Sequence, residues 1–80
     1  MAEVTVRYWA AAKAAAGTAQ ERLAAATLEE LVERAGARHG PKLAAVLGRC
    51  AFLVDGVQAH PHDRLVEGAT VEALPPFAGG

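Results

Sequence analysis

One amphipathic helix standing between two groups of short strands is what most constrains this chain. Thr27-Leu28-Glu29-Glu30 has the form of a capping box, with Thr27 as N-cap and Glu30 reaching back over the first turn. Leu28, Leu31, Val32 and Ala35 follow at helical spacing and make one apolar stripe. Gly36 lies within or near the end of this helix, and Gly40-Pro41 ends it. Pro41 then suits the first position of a short helix, Pro41 to Leu47, with Leu43, Val46 and Leu47 inward and Gly48 closing it. A helix with one apolar stripe has to bury it, and the segments on either side read as strands.

Val4, Val6 and Tyr8 alternate with Thr5, Arg7 and Trp9, the period of a half-buried strand. Ala10 to Ala16 is helix-prone, and Gly17 stops it. Gln20 to Ala24 is a weaker, Ala-rich strand at a sheet edge, where Glu21 and Arg22 discourage pairing with other chains. Beyond the helices, Ala51 to Val54 and Val57 to Ala59 flank Asp55-Gly56, a strong hairpin signal. Leu65 anchors the loop that follows, and Glu67-Gly68 turns into a last strand, Thr70 to Leu74. The order predicts an α+β architecture, one mixed sheet packed on one main helix plus short helices. In such a fold the last strand can lie beside the first, parallel to it, through a right-handed crossover.

Eighty residues support one core, so residues 1–80 read as a single domain whose residues 75–80 form an extended tail. Alanine supplies 20 of the 80 residues, so the packing bulk must come from Val, Leu, Tyr and Phe, with Trp as a further candidate. A net charge of −1 argues against nucleic acid, which needs a basic stripe. No apolar run approaches the ~20 residues that span a bilayer, and Glu3, Arg7 and Lys13 interrupt any secretory h-region. The single Cys50 excludes an internal disulfide and fits a reducing cytoplasm.

The chain closes on Leu74-Pro75-Pro76-Phe77-Ala78-Gly79-Gly80. A terminal Gly-Gly presents a carboxylate on a residue without a Cβ, at the end of a backbone thin enough to thread a narrow slot. Taken alone the dipeptide reads equally as a frayed end or a working one. An α-carboxyl group has a pKa of about 3.5, so at neutral pH it is an anionic nucleophile that lacks a leaving group. From Pro75 to Gly80 the chain reaches at most about 20 Å. Pro75-Pro76 stiffens the first part toward polyproline II geometry, and Phe77 is placed as a hydrophobic anchor. Strand parity puts Trp9 with Thr5 and Arg7, and Leu74 with Thr70 and Glu72, so both are apolar residues on a polar face. They meet at the base of the tail if the first and last strands pair, in the pattern of an interface; the alternative is that either side chain folds over an edge of the core.

Other signals carry less chemistry. His60-Pro61-His62-Asp63 lacks zinc-ligand spacing and reads as a polar loop, so no metal is expected. Cys50 reads as a small buried hydrophobe, His39 as a residue near a helix C-terminus where a partial positive charge suits the dipole, and Gly36, Gly40 and Gly48 as helix punctuation. No nucleophile, base and acid stand together as a catalytic set.

Val4-Thr5-Val6-Arg7-Tyr8-Trp9-Ala10, Thr27-Leu28-Glu29-Glu30-Leu31, Val54-Asp55-Gly56, Leu65 with Gly68, and the stretch Thr70 to Gly80 together resemble the MoaD/ThiS family of ubiquitin-like sulfur carriers. The pattern is nearest to the small subunits of molybdopterin synthase. The ending is the specific part; the rest is generic for the fold. The second strand is weakly patterned, and Asp55 stands where the family often has Asn. The resemblance implies a ubiquitin-like β-grasp fold and a protein that is not catalytic alone and binds no cofactor. A ubiquitin-activating-like adenylyltransferase would use ATP to adenylate Gly80, and a sulfur donor enzyme would convert the adenylate to a thiocarboxylate. The large catalytic synthase subunit, in a heterotetramer by family precedent, would pass that sulfur to a pterin precursor. Trp9, Leu74, Pro75, Pro76, Phe77, Ala78 and Gly79 would then contact these partners. Carriers for cysteine, thiamine or tRNA thiolation, a ubiquitin-like protein modifier, and a β-grasp binding module with an unreactive tail remain alternatives.

Overall fold

Alternating burial along the first strand sets the arrangement of everything else. The computed structural model describes residues 1–76, with β1 at Ala2–Tyr8, α1 at Ala10–Ala16, β2 at Gln20–Ala25 and α2 at Leu28–His39. These are followed by α3 at Pro41–Leu47, β3 at Ala51–Val54, β4 at Val57–Gln58 and β5 at Thr70–Leu74. Val4, Val6 and Tyr8 face the helices and are buried, as their spacing predicts.

The five strands form one mixed sheet in the order β2-β1-β5-β3-β4. β1 and β5 pair in parallel at its centre, with Val6 opposite Val71 and Tyr8 opposite Ala73; the remaining neighbours are antiparallel. This is the ubiquitin-like β-grasp, and the expected side-by-side placement of first and last strands is present. α2 lays Leu28, Leu31 and Ala35 on the sheet, while Leu43 and Leu47 of α3, Ala12 of α1 and Leu65 close the core around it.

Local chemistry accounts for the element boundaries. Thr27 Oγ1 accepts from Glu30 N (3.2 Å), and the Glu30 carboxylate reaches one residue beyond the N-cap to accept from Ala26 N (2.6 Å). That backbone N–H holds the Glu30 carboxyl below the usual carboxylate range. The His60–Asp63 loop finishes the same helix start. Pro61 and Asp63 carbonyls accept from Glu29 and Leu28 N–H, orphan donors of the first turn (2.9 and 3.1 Å). Asp55 and Gly56 both take positive φ (49° and 83°), the two-residue turn whose twist matches a hairpin.

Two details differ from the sequence expectation. β4 ends at Gln58, although Ala59 N–H still donates to Phe52 O (2.9 Å). Gly36 is not punctuation. It is buried inside α2 where a Cβ would sit 3.0 Å from Ala44 Cβ, so its missing side chain lets α3 pack close.

Candidate functional site

Trp9 marks the point where the two central strands leave the sheet. Its backbone N–H donates to Ala73 O (3.3 Å), extending the β1–β5 pairing by one step. Ala10 then turns at φ 50°, a left-handed conformation that costs a residue with a Cβ roughly 1–2 kcal/mol. α1 starts immediately, with Trp9 O accepting from Ala12 N and Lys13 N (3.0 and 3.4 Å). The reversal leaves the indole outside the core, 40% exposed. It is nevertheless held: Nε1 donates to Glu72 Oε2 (3.2 Å), and the Arg7 guanidinium lies 4.9 Å from the ring centroid. An aromatic side chain fixed in place but uncovered loses little freedom when something packs on it.

The ring forms one wall of a groove of about 820 Å³. Ala10 and Ala11 continue that wall, Ala45 and Val46 of α3 form the other, and Leu74, Pro75 and Pro76 run along its edge. Lys42 and Arg49 complete the lining. The alanines supply surface without bulk, which is why the groove is open. Of the partner-contacting residues expected from the sequence, Trp9, Leu74, Pro75 and Pro76 therefore meet on one surface. Phe77, Ala78, Gly79 and Gly80 lie outside the described residues.

The α3 wall was not anticipated. Val46 was expected inward with Leu43 and Leu47; those two are buried, whereas Val46 is only half-buried and lines the groove. Lys42, Ala45, Val46 and Arg49 stand at i, i+3, i+4 and i+7, a second stripe that could have been read from the spacing.

On the opposite face of β1, Tyr8 OH donates to Glu21 Oε2 (2.5 Å). The same oxygen meets His39 Nε2 at 2.6 Å, and Arg38 Nε lies 3.3 Å from Glu21 Oε1. The Tyr8 and His39 rings pack edge to face with centroids 6.1 Å apart. Burial first, and then the Glu21 carboxylate, push the Tyr8 phenol far above its ordinary range. This corrects two expectations. Pairing Val6 with Glu21 and Val4 with Leu23 turns Glu21 inward, so it is a largely buried acceptor rather than a solvated edge charge. His39 is its partner and not simply a cation at a helix end.

Cys50 is half-buried, with Sγ 3.3 Å from Val46 O, and burial pushes its thiol up to about 11. A thiol so protonated is a poor nucleophile at neutral pH. Asp63 Oδ2 accepts from His60 N (2.8 Å), which ties the His60–Asp63 loop to itself. Among the described residues no group of three His, Cys, Asp or Glu could hold a metal ion, and no helix is long and apolar enough to cross a membrane.

Fold and site together define a β-grasp domain whose central strand ends at an apolar groove edged by Pro75 and Pro76, in a sequence that closes on Gly-Gly. The ThiS family profile matches residues 6–80, so the chain belongs to the ThiS family. No curated protein matches it in sequence. Among solved structures it is similar to small archaeal modifier protein 1 from Methanosarcina acetivorans, with 23% identity and a TM-score of 0.89 over 100% of this chain and 98% of that one. It is also similar to a complex of subunits 1 and 2 of molybdopterin-converting factor from Helicobacter pylori, with 28% identity and a TM-score of 0.70 over 98% and 99% of the chains. Urm1 from Trypanosoma brucei shares 18% identity with a TM-score of 0.75, over 98% of this chain and 95% of that one.

Proposed function

We propose that this chain carries sulfur for molybdopterin synthesis, with the Gly80 carboxylate as the group that changes. The observation that carries the reading is an exposed, pre-ordered apolar groove edged by Leu74, Pro75 and Pro76 where the central strand of a ThiS-family β-grasp ends, in a sequence that closes on Gly79-Gly80. The Gly80 carboxylate attacks the α-phosphate of ATP on a ubiquitin-activating-like adenylyltransferase, and pyrophosphate leaves. A sulfide equivalent from a donor enzyme then displaces AMP, leaving a thiocarboxylate. On the large synthase subunit the sulfur passes to a pterin precursor, and water restores the carboxylate. The groove docks the partner while the tail delivers the reacting atom; in this reading the acid, base and any metal of these steps belong to the partners.

Two features favour molybdopterin as the destination. The Pro75-Pro76-Phe77-Ala78-Gly79-Gly80 ending has the apolar approach of the synthase small subunits, and the Helicobacter pylori relative is a subunit paired with a second subunit of that factor. A second reading, conjugation of Gly80 to lysines of other proteins, uses the same adenylate and tail; it is favoured by the likeness to the archaeal modifier.

Intact-mass measurement after incubation with the activating enzyme, ATP and sulfide tests both. A rise matching one oxygen replaced by sulfur, absent when Gly80 is deleted, is the expected result. No mass change and no trapped adenylate would sink both readings. Laddering on other proteins would favour the modifier. Conversion of a pterin precursor by the large subunit with the thiocarboxylated chain selects molybdopterin over cysteine, thiazole or tRNA thiolation.

A further inference from the structure

We infer that the tail-base groove receives an acidic partner segment, one apolar side chain seated against Trp9, Val46 and Leu74 with carboxylates facing Lys42 and Arg49. The inference rests on the carrier reading and specifies the chemistry of the surface that such partners present.

Three observations lead to it. The first is reach. Phe77 to Gly80 extend at most about 14 Å beyond Pro76, at 3.3–3.6 Å per residue. Any protein that handles the Gly80 carboxylate must therefore approach the body near Pro76, and Pro76 is itself an edge of the groove. A partner that takes the tail also covers the groove.

The second is charge. Lys42 and Arg49 are exposed and form no ion pair among the described residues. Arg22, Arg34 and Arg38, by contrast, each lie against a glutamate of this chain. Every other residue lining the groove is uncharged and apolar, and Glu72 beside it is engaged by the Trp9 indole. Among the described residues the groove thus offers two cations without an ion-pair partner and no free anion. A basic or neutral apolar partner would leave both cations facing a surface that does not answer them; an acidic one answers both.

The third is rigidity. Lys42 and Arg49 lie at the two ends of one stripe, seven residues apart on and just after α3, and α3 is locked to α2 by the close approach of Gly36 and Ala44. The backbone positions from which the two cations extend are therefore set before binding, which favours a partner with carboxylates on either side of an apolar tip.

The experiment measures binding of the full chain to the activating enzyme and to the large synthase subunit of the same genome, at about 50 and about 300 mM salt. Reversal of both cations, Lys42→Glu with Arg49→Glu, is expected to weaken binding to at least one of them about tenfold at low salt and to flatten the salt dependence. Lys42→Arg with Arg49→Lys should retain affinity. Lys13→Glu with Arg64→Glu changes net charge equally at exposed positions outside the groove and should leave affinity within about twofold. Unchanged circular dichroism and melting temperature separate the effect from misfolding. A double reversal that binds like the wild type, or a control pair that weakens binding as much, overturns the inference and leaves the carrier reading intact. Wild-type chain that binds neither enzyme overturns both. Self-association abolished by the double reversal, with enzyme binding unaffected, would overturn it in favour of a second copy.

Discussion

Tyr8 and Trp9 are adjacent in sequence, point to opposite faces of the sheet, and each donates to a glutamate, yet they do different work. Tyr8 is buried, and its acceptor Glu21 also meets His39 and Arg38, so one carboxylate ties together β1, β2 and α2. Trp9 is exposed, and its acceptor Glu72 has no second side-chain partner among the described residues. Burial makes the first hydrogen bond costly to break and the second cheap. The inner pair therefore holds the domain together, while the outer pair fixes an indole in place without burying it. A domain that must stay folded while its surface is repeatedly covered and uncovered gains from keeping those duties on separate faces.

The comparison can be broken most forcefully at Glu21. Glu21→Ala strips the acceptor from Tyr8 and His39 at once, and a loss of about 3 kcal/mol in urea unfolding is expected. A loss under about 0.5 kcal/mol would show that the inner cluster is decoration. Trp9→Ala comes next and should divide the two readouts. Partner binding is expected to fall by about 2 kcal/mol, as for a central aromatic anchor, with under about 1 kcal/mol lost from folding. The reverse split would make Trp9 a core residue.

Tyr8→Phe is expected to cost about 1 kcal/mol of stability, because Glu21 keeps its other partners. The wild-type phenol gives a sharper check, since Tyr8 is the only tyrosine. Its raised pKa means that the folded chain keeps the proton that the unfolded chain releases near pH 10. Its contribution to stability is whole below that pH and is lost as pH rises above it. Ultraviolet titration should show no tyrosinate near pH 10 while the chain stays folded; ionisation at the ordinary value would refute the buried hydrogen bond. Glu72→Gln should do least, a few tenths of a kcal/mol by thermal unfolding, because the indole keeps an acceptor and the site is exposed. A change above about 1 kcal/mol would contradict the asymmetry between the faces.

What could be read in advance divides along the same line. Val4, Val6 and Tyr8 announce their burial by alternation, Asp55-Gly56 announces its turn, and the parity of Trp9 and Leu74 announces an apolar pair at the base of the tail. These are local patterns with a fixed period. The Tyr8–Glu21–His39 cluster depends instead on the β1–β2 register and on where α2 ends, neither of which a local window contains. The parity of Glu21 with Leu23 carried a faint signal that a charged residue on a poorly patterned strand easily hides. The α3 wall was missed for another reason. Ala10, Ala11 and Ala45 contribute by being small, and alanine in a helix looks the same whether it lines a groove or merely favours the helix.

β5 sits between β1 and β3, with Thr70 to Ala73 paired to β1 and Val71 to Leu74 paired to β3, and it leads into Pro75 and Pro76. Tension applied to the C-terminus is therefore directed along the most enclosed strand, and it loads the flanking hydrogen bonds together in shear instead of peeling them one at a time. Extraction of the strand under force is limited by the rate of crossing that barrier rather than by equilibrium stability. In the proposed carrier, an enzyme gripping the terminus would load this barrier before it could unravel the domain.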